Sequence, residues 1–400
     1  MKKGKVTTKG VIKQFDKYVI GNYKRLPVVI VRGKGCNVWD ADGRKYLDLF
    51  PGWAVSGIGH CHPRVVKAIR EQVGELIHVA NNWYSVPQGR LAELVSKHSF
   101  GGKVFFCNSG AEANEGAVKL ARLATNPGRG KIFTFFNSFH VRTLAMITAT
   151  AQPKYQKGFE PLPKGFEYIP LNDLAALKRA VDDTTSAVML EPIQGEGGIN
   201  VADPGYLRDA RRLCDKRGAL LIYDEVQTGM GRTGEWFGYQ LSGVVPDIMT
   251  LAKALGGGTA IGAMVAKREL ADKLVPGTHA STFGGNALAA AAACAVFEAI
   301  EKDGLIANTR RMSKHAFAEL KELKKRHKVI KQVRGKGLMI GIELTKPGAG
   351  VVARSQKMGV LINCTHDTVL RFMPPMTVTK NEIDKGIRVL GKALKQEFGS

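Results

Sequence analysis

The stretch that decides the fold reads Ile248-Met249-Thr250-Leu251-Ala252-Lys253-Ala254-Leu255-Gly256-Gly257-Gly258. Its first five residues are an apolar run of strand length, which then delivers one lysine into three glycines. A lysine at the end of a buried strand is costly unless it has a partner or a task. One task is a Schiff base, because a desolvated lysine has a depressed pKa and becomes a nucleophilic amine. The glycines let the backbone turn tightly and approach a ligand closely. A lysine that merely snorkels at a strand end satisfies the same pattern, so a second stretch has to decide.

That stretch is Ala219-Leu220-Leu221-Ile222-Tyr223, another apolar strand, which ends in Asp224-Glu225-Val226-Gln227. In an open α/β sheet, ligands bind in the crevice outside the carboxyl ends of the strands. Asp224 and Lys253 both fall at such ends. A carboxylate for a pyridinium nitrogen and a lysine for the Schiff base are the minimum equipment of a pyridoxal 5'-phosphate enzyme.

Working outward, strands and helices alternate through residues 100–265. This predicts an α/β fold with a mostly parallel central sheet covered by helices. A strand at 104–107 runs into Asn108-Ser109-Gly110-Ala111-Glu112, a tight turn and a helix start in which Ser109 and Glu112 make a capping box. The exposed N–H groups of that helix end suit a phosphate, although an ordinary capped helix has the same signature. A strand at 131–136 precedes Asn137-Ser138-Phe139-His140-Val141-Arg142-Thr143. Here Phe139 can stack on a planar cofactor and Arg142 can grip a carboxylate; a core phenylalanine and a surface arginine are the plainer alternative. The strand at 186–190 ends in Glu191-Pro192-Ile193-Gln194-Gly195-Glu196-Gly197-Gly198, a polar loop able to close over a ligand. A helix at 204–217 leads to the Asp224 strand. Residues 261–266 read as an antiparallel strand, and 279–286 open an alanine-rich helix at 287–300.

The N-terminal part reads as a helix at 11–18, a hairpin of 28–31 with 38–39, and helices at 63–76 and 87–99. Beyond residue 303 come a basic helix (308–327), strands at 329–333, 338–344, 359–362 and 369–372, and a closing helix at 380–398. The expected organisation is an N-terminal segment (1–45) packing with a smaller α+β domain (301–400), and a large cofactor-binding domain (46–300).

Four hundred residues with 44% apolar and 24% charged composition describe an ordinary globular chain. No apolar run reaches membrane-spanning length, and no hydrophobic signal segment follows the basic start Met1-Lys2-Lys3-Gly4-Lys5; a cytoplasmic protein is expected. The six cysteines are scattered without a Cys-x-x-Cys pair, as suits buried free thiols. His60-Cys61-His62 lacks the four converging ligands of a structural zinc site, and no metal is expected. The net charge of +24 fits a field for anionic substrates or a nucleic-acid surface. The densest basic run, residues 321–336, lacks interleaved aromatics and reads as a solvated helix face.

Taken together, these motifs resemble the class III (subgroup II) aminotransferases, pyridoxal phosphate enzymes of fold type I. The resemblance covers nearly the whole chain. It runs from Tyr23-Lys24-Arg25-Leu26-Pro27 and Trp39-Asp40-Ala41-Asp42-Gly43 through Gly59-His60-Cys61-His62-Pro63, the Asn108–Glu115 and Phe139–Thr143 segments and the Glu191–Gly198 loop. It then takes in Asp224-Glu225-Val226-Gln227-Thr228-Gly229, the Lys253 segment, Ser281-Thr282-Phe283-Gly284-Gly285-Asn286 and Leu370-Arg371-Phe372.

The resemblance implies pyridoxal 5'-phosphate as cofactor and assigns roles. Lys253 is the Schiff-base lysine and the base that moves the proton. Asp224 pairs with the pyridinium nitrogen, Val226 packs behind the ring, Gln227 bonds its 3-oxygen and Phe139 stacks on its face. Ser109, Gly110 and Ala111 cradle the phosphate, and Thr282 reaches it across a homodimer interface. Arg142 takes the α-carboxylate, while Ser281 and Tyr23 are further substrate contacts. Glu196 neutralises Arg371 while an ω-amine is bound and releases it for the carboxylate of glutamate; an unpaired buried arginine is otherwise expensive.

The implied activity is transfer of the δ-amino group of N2-acetylornithine to 2-oxoglutarate. Ornithine, succinylornithine, 4-aminobutyrate and LysW-linked lysine are alternative donors. An aminomutase and a basic nucleic-acid-binding protein are remoter readings. Two departures stand out. Val141 occupies a position where the family usually has glycine. A β-branched residue resists φ > 0, so the loop is expected to be reshaped. Thr259-Ala260-Ile261-Gly262 replaces the more usual Pro-Ile-Gly.

Overall fold

Short apolar strands buried on both faces need cover on both sides, and the chain supplies it with helices. A computed structural model describes residues 7–399; the basic stretch 1–5 lies outside them. A helix at Thr8–Tyr18 leads into an antiparallel meander of β1 (Ile30–Lys34), β2 (Asn37–Asp40) and β3 (Lys45–Asp48). Next come β4 (Lys103–Cys107), β5 (Lys131–Phe135), β6 (Phe166–Ile169) and β7 (Thr185–Leu190). A short ribbon follows, β8 (Ile193–Gln194) with β9 (Asn200–Val201), and then β10 (Leu220–Asp224), β11 (Ile248–Leu251) and β12 (Gly262–Ala266). The central sheet has the order β4-β12-β11-β10-β7-β5-β6. β10 runs parallel to β7 and β11, and β5 parallel to β6 and β7. β12 is antiparallel to both its neighbours, as read from its sequence.

The strand period of two distributes the side chains between two cores. Phe133, Phe135, Val188, Leu190, Leu221 and Leu251 face one helix layer. Ile132, Met189, Ile222 and Ile248 face the other, where they meet Ala117, Leu120 and Ala121 of the helix Gly110–Thr125. Each such fully buried aliphatic or aromatic chain stabilises the fold by about 1.5–3 kcal/mol.

A second sheet combines β13 (Ile330–Lys336), β14 (Met339–Leu344), β16 (Asn363–Thr365) and β17 (Val369–Phe372) in the order β13-β14-β17-β16, all antiparallel. The short β15 (Val360–Leu361) instead pairs in parallel with β3, tying the N-terminal meander to this end of the molecule. A third core lies here. It unites Leu47 and Leu49 with Leu320, Ile340, Leu370, Phe372 and Leu390. One helix, Leu305–Arg326, serves two cores, with Leu305 in the large one and Leu320 in this one. The basic run read from the sequence includes its last turn, Lys324-Lys325-Arg326, where cations complement the helix dipole.

Some elements were not legible beforehand. β6 is a short edge strand with an exposed Glu167, too weakly patterned to read, and the β8–β9 ribbon lies in what reads as a plain loop. Cysteine burial also differs from expectation: Cys36, Cys107 and Cys214 are buried, but Cys61 is exposed. Among the described residues, no helix is long and apolar enough to cross a membrane.

Candidate active site

The loops after β4, β5, β7, β10 and β11 all leave the same edge of the sheet. They enclose a cavity of about 310 Å³ lined by Asn108, Ser109, Gly110, Phe139, Val141, Glu191, Glu196, Asp224, Val226, Gln227 and Lys253, among others. Eight residues singled out from the sequence (Ser109, Gly110, Phe139, Glu196, Asp224, Val226, Gln227 and Lys253) therefore share one cavity.

Asp224 ends β10 with 3% of its surface exposed. Its Oδ2 accepts from Asn114 Nδ2 at 2.8 Å and lies 2.8 Å from His140 Nδ1, while its Oδ1 accepts from the Val226 N–H at 3.0 Å. Asn114 is itself held: its Oδ1 accepts from Thr250 Oγ1 at 2.6 Å, and its Nδ2 also reaches the His140 carbonyl at 3.1 Å. A buried carboxylate with several fixed partners is a rigid acceptor of one further donor. Asn114 and His140 lie in the quoted motifs, yet nothing in their residue type or spacing marked them as supports.

Lys253 opens a single 3-10 turn (Lys253–Gly256) with φ +47, a left-handed conformation rare for a side chain this long. Desolvation is the largest influence on its ammonium and lowers its pKa, against the raising charges of Glu196, Asp224 and Glu191. The amine is thereby moved towards the neutral, nucleophilic form.

At the helix start, Ser109 Oγ accepts from the Glu112 N–H at 3.3 Å. Glu112 reaches back one residue further than a standard capping box, to the N–H and Nδ2 of Asn108, both at 2.9 Å. Gly110 permits the contact with Val226: a Cβ there would lie 3.0 Å from both Val226 methyls. Ala111 is buried in the helix behind the lining. Ser281 Oγ accepts from Asn108 Nδ2 at 3.1 Å, which puts it beside this turn rather than in the cavity.

Burial would raise the carboxyl pKa of Glu196, but the charge and hydrogen bond of Arg371, with Lys253 and Gln227, hold it below its ordinary value. Arg371 Nη1 donates to Glu196 Oε1 at 2.5 Å, while its Nε and Nη2 donate to Asn363 Oδ1 at 2.8 and 2.5 Å. The guanidinium also packs over the Phe50 ring at 4.5 Å. With 1% of its surface exposed, Arg371 sits behind Glu196, which screens it from the cavity.

Glu191, unassigned in the sequence reading, also lines the cavity. It accepts from the N–H groups of Phe139 (2.9 Å) and Gly195 (3.0 Å), and burial raises its carboxyl pKa. It thus ties the Phe139 loop to the Glu196 loop.

Besides Ser281, three more expected contacts are not brought to the cavity of this chain. Arg142 is exposed, with its guanidinium over the Tyr155 ring at 4.1 Å and the Phe139 ring at 5.4 Å. Thr282 is exposed outside the lining. Tyr23 is 66% exposed and meets Arg25. In the loop expected to be reshaped, Val141 takes the positive φ, +88, that a β-branched residue resists. His60 and His62 separate, one bonding Asp48 and the other facing Asp303.

The donor set suits an anionic, planar cofactor with a ring nitrogen. A lysine amine, an anchored carboxylate, an aromatic ring and a capped helix start converge, and the buried Gln227 Oε1 in the wall has no partner. Gly195 leaves room for that amide, since a Cβ there would lie 1.9 Å from it.

Sheet order, strand-end placement and this constellation define a pyridoxal-phosphate-dependent transferase, and the chain belongs to the class-III aminotransferases: that family's profile matches residues 18–394. Its relatives narrow the comparison. The chain is 52% identical over 387 residues to the acetylornithine aminotransferase of Caldanaerobacter subterraneus subsp. tengcongensis, covering 95% of this chain and 98% of that protein. It is also 52% identical to that of Methanocaldococcus jannaschii, covering 95% and 96%. Among solved structures, the ornithine aminotransferase of Toxoplasma gondii, described with partial occupancy of PLP at its active site, superposes with a TM-score of 0.94 at 34% identity, covering 98% and 96% of the two chains.

Proposed function

We propose that this aminotransferase moves the δ-amino group of N2-acetylornithine to 2-oxoglutarate in two half-reactions. The observation that carries the reading is Glu196 in the wall of the Lys253 cavity, with Arg371 bound to it from behind. An enzyme that takes an ω-amine first and a dicarboxylate second needs an arginine that can be hidden and exposed. The relatives named for acetylornithine supply the donor.

Pyridoxal 5'-phosphate, when bound, supplies an aldehyde for the amino group and a ring that takes up the electron pair as the substrate C–H bond breaks. Asp224 would pair with the ring nitrogen and keep it protonated, Phe139 and Val226 would pack on the ring, and Gln227 would bond its oxygen. Ser109, Gly110 and Ala111 hold the phosphate at the helix start. Lys253 would hold the cofactor and, once freed by the donor amine, would carry the proton taken from the substrate carbon. Arg142 swings from Tyr155 to take the α-carboxylate, with Ser281 beside it, and Glu196 releases Arg371 for the distal carboxylate of glutamate.

The chain works as a cytoplasmic homodimer in this reading, with Thr282 serving the partner's site and Tyr23 a further substrate contact. Residues 46–300 form the cofactor domain, and the described residues of the 1–45 segment pack with those of the 301–400 domain. The test is to add single donors, without acceptor, to the cofactor-loaded protein. N2-acetylornithine alone should convert the visible cofactor band. Response only to ornithine, which the Toxoplasma similarity makes the second reading, would change the donor and keep the class.

A further inference from the structure

Val141 is a β-branched residue at φ +88, a conformation that glycine adopts freely and valine resists. The strain cannot relax, because both flanks are fixed. The His140 ring is held at Asp224 and its carbonyl by Asn114, while its N–H donates to Thr150 Oγ1 at 2.7 Å. On the other side Thr143 Oγ1 donates to Glu115 at 2.6 Å and starts the helix Leu144–Ala149. Strain that the surroundings over-determine and that faces a cavity points to function. Here its product is an isopropyl group in the wall of a cavity of only about 310 Å³, in the loop between Phe139 and Arg142.

We propose that Val141 sets the size limit for the acyl group of the donor, admitting acetyl and excluding larger groups such as succinyl. The inference rests on the acylornithine reading above. The donor's reacting amine must meet Lys253, so its other end, bearing the α-carboxylate and the acyl amide, extends towards the loop that carries Arg142. Val141 is next to Arg142 in the chain and presents the bulk there. A pocket wall discriminates one carbon by roughly 10- to 200-fold, so the two extra carbons of a succinyl group, ending in a carboxylate, are enough to exclude it.

The test compares kcat/KM for N2-acetylornithine and N2-succinylornithine in the wild type, Val141→Ala and Val141→Gly. The succinyl-to-acetyl ratio should rise about tenfold or more in both variants. As a check that needs no variant, the wild type should show kcat/KM falling steeply through formyl or acetyl, propionyl and succinyl donors. A flat series, or an unchanged ratio in variants that still use acetylornithine, overturns the proposal. A wild type that uses no acylated ornithine overturns the underlying functional reading instead.

Discussion

Replacing Glu196 by glutamine leaves the shape of the cavity wall nearly unchanged and removes one charge. In the native pair, Arg371 gives Nη1 to Glu196 at 2.5 Å, and it keeps Asn363 and the Gly195 carbonyl (3.3 Å) after the change. The amide oxygen can still accept from Nη1, so the loss is the ionic part of that hydrogen bond, about 1.5 kcal/mol, or roughly tenfold in an equilibrium. That amount falls oppositely on the two half-reactions. The ω-amine half needs Arg371 hidden, so it should slow by about tenfold or more. The glutamate half needs the pair opened, so it no longer meets that cost and should hold or improve. Single-turnover spectra with N2-acetylornithine alone and glutamate alone measure each half. Equal losses in both would refute the switch and leave Glu196 a structural partner of Arg371. Because Arg371 and Lys253 keep the Glu196 carboxyl below its usual range, the native pair should also behave alike across neutral pH.

Lys253→Ala should lower kcat by about 10³-fold or more, since the covalent anchor and the proton carrier vanish together; near-normal turnover would sink the assignment. Reconstitution of the cofactor-free protein should accelerate with rising pH and level off below the ordinary lysine value, because burial lowers the Lys253 pKa. In Glu196→Gln that midpoint should move lower still, as a charge that raises the lysine pKa is lost and the freed Arg371 lowers it further; a move upward, followed by stopped-flow absorbance, would contradict the electrostatics. Asn114→Ala should raise the cofactor Kd about tenfold by loosening Asp224, and an unchanged Kd by equilibrium titration would remove Asn114 from that positioning role.

Much of the site is legible along the chain because it sits where periodicity ends. The apolar runs before Asp224 and Lys253 are strands by pattern, and in a parallel sheet their carboxyl ends must meet, whatever the helices outside do. The capped start at Ser109 is likewise local, although the Glu112 carboxylate accepts from the Ser109 hydroxyl and the Asn108 N–H in place of the Ser109 N–H of a standard box. What residue patterns alone could not show is how distant segments touch; the Glu196–Arg371 pair was expected only through the family resemblance. Asn114 and His140 support Asp224 from 110 and 84 positions away, so no spacing rule reveals them. Glu191 reads as a loop residue until its carboxylate is seen holding the Phe139 and Gly195 amides.

The sequence by itself determined the α/β class, the strand ends that carry the chemistry and the residue types that cofactor chemistry needs, because these follow from hydrophobic period and local turn geometry. The pairing of Glu196 with Arg371, 175 positions away, was expected from the resemblance, but only the tertiary structure showed Arg371 behind Glu196 and out of the cavity lining. It also decided that Arg142 rests on Tyr155 and that Val141 takes a left-handed turn. Local propensity argued against that turn, and fixed contacts on both sides overrode it. Packing across the sheet edge, summed over many residues, outweighs the few kcal/mol that one residue's preference can oppose.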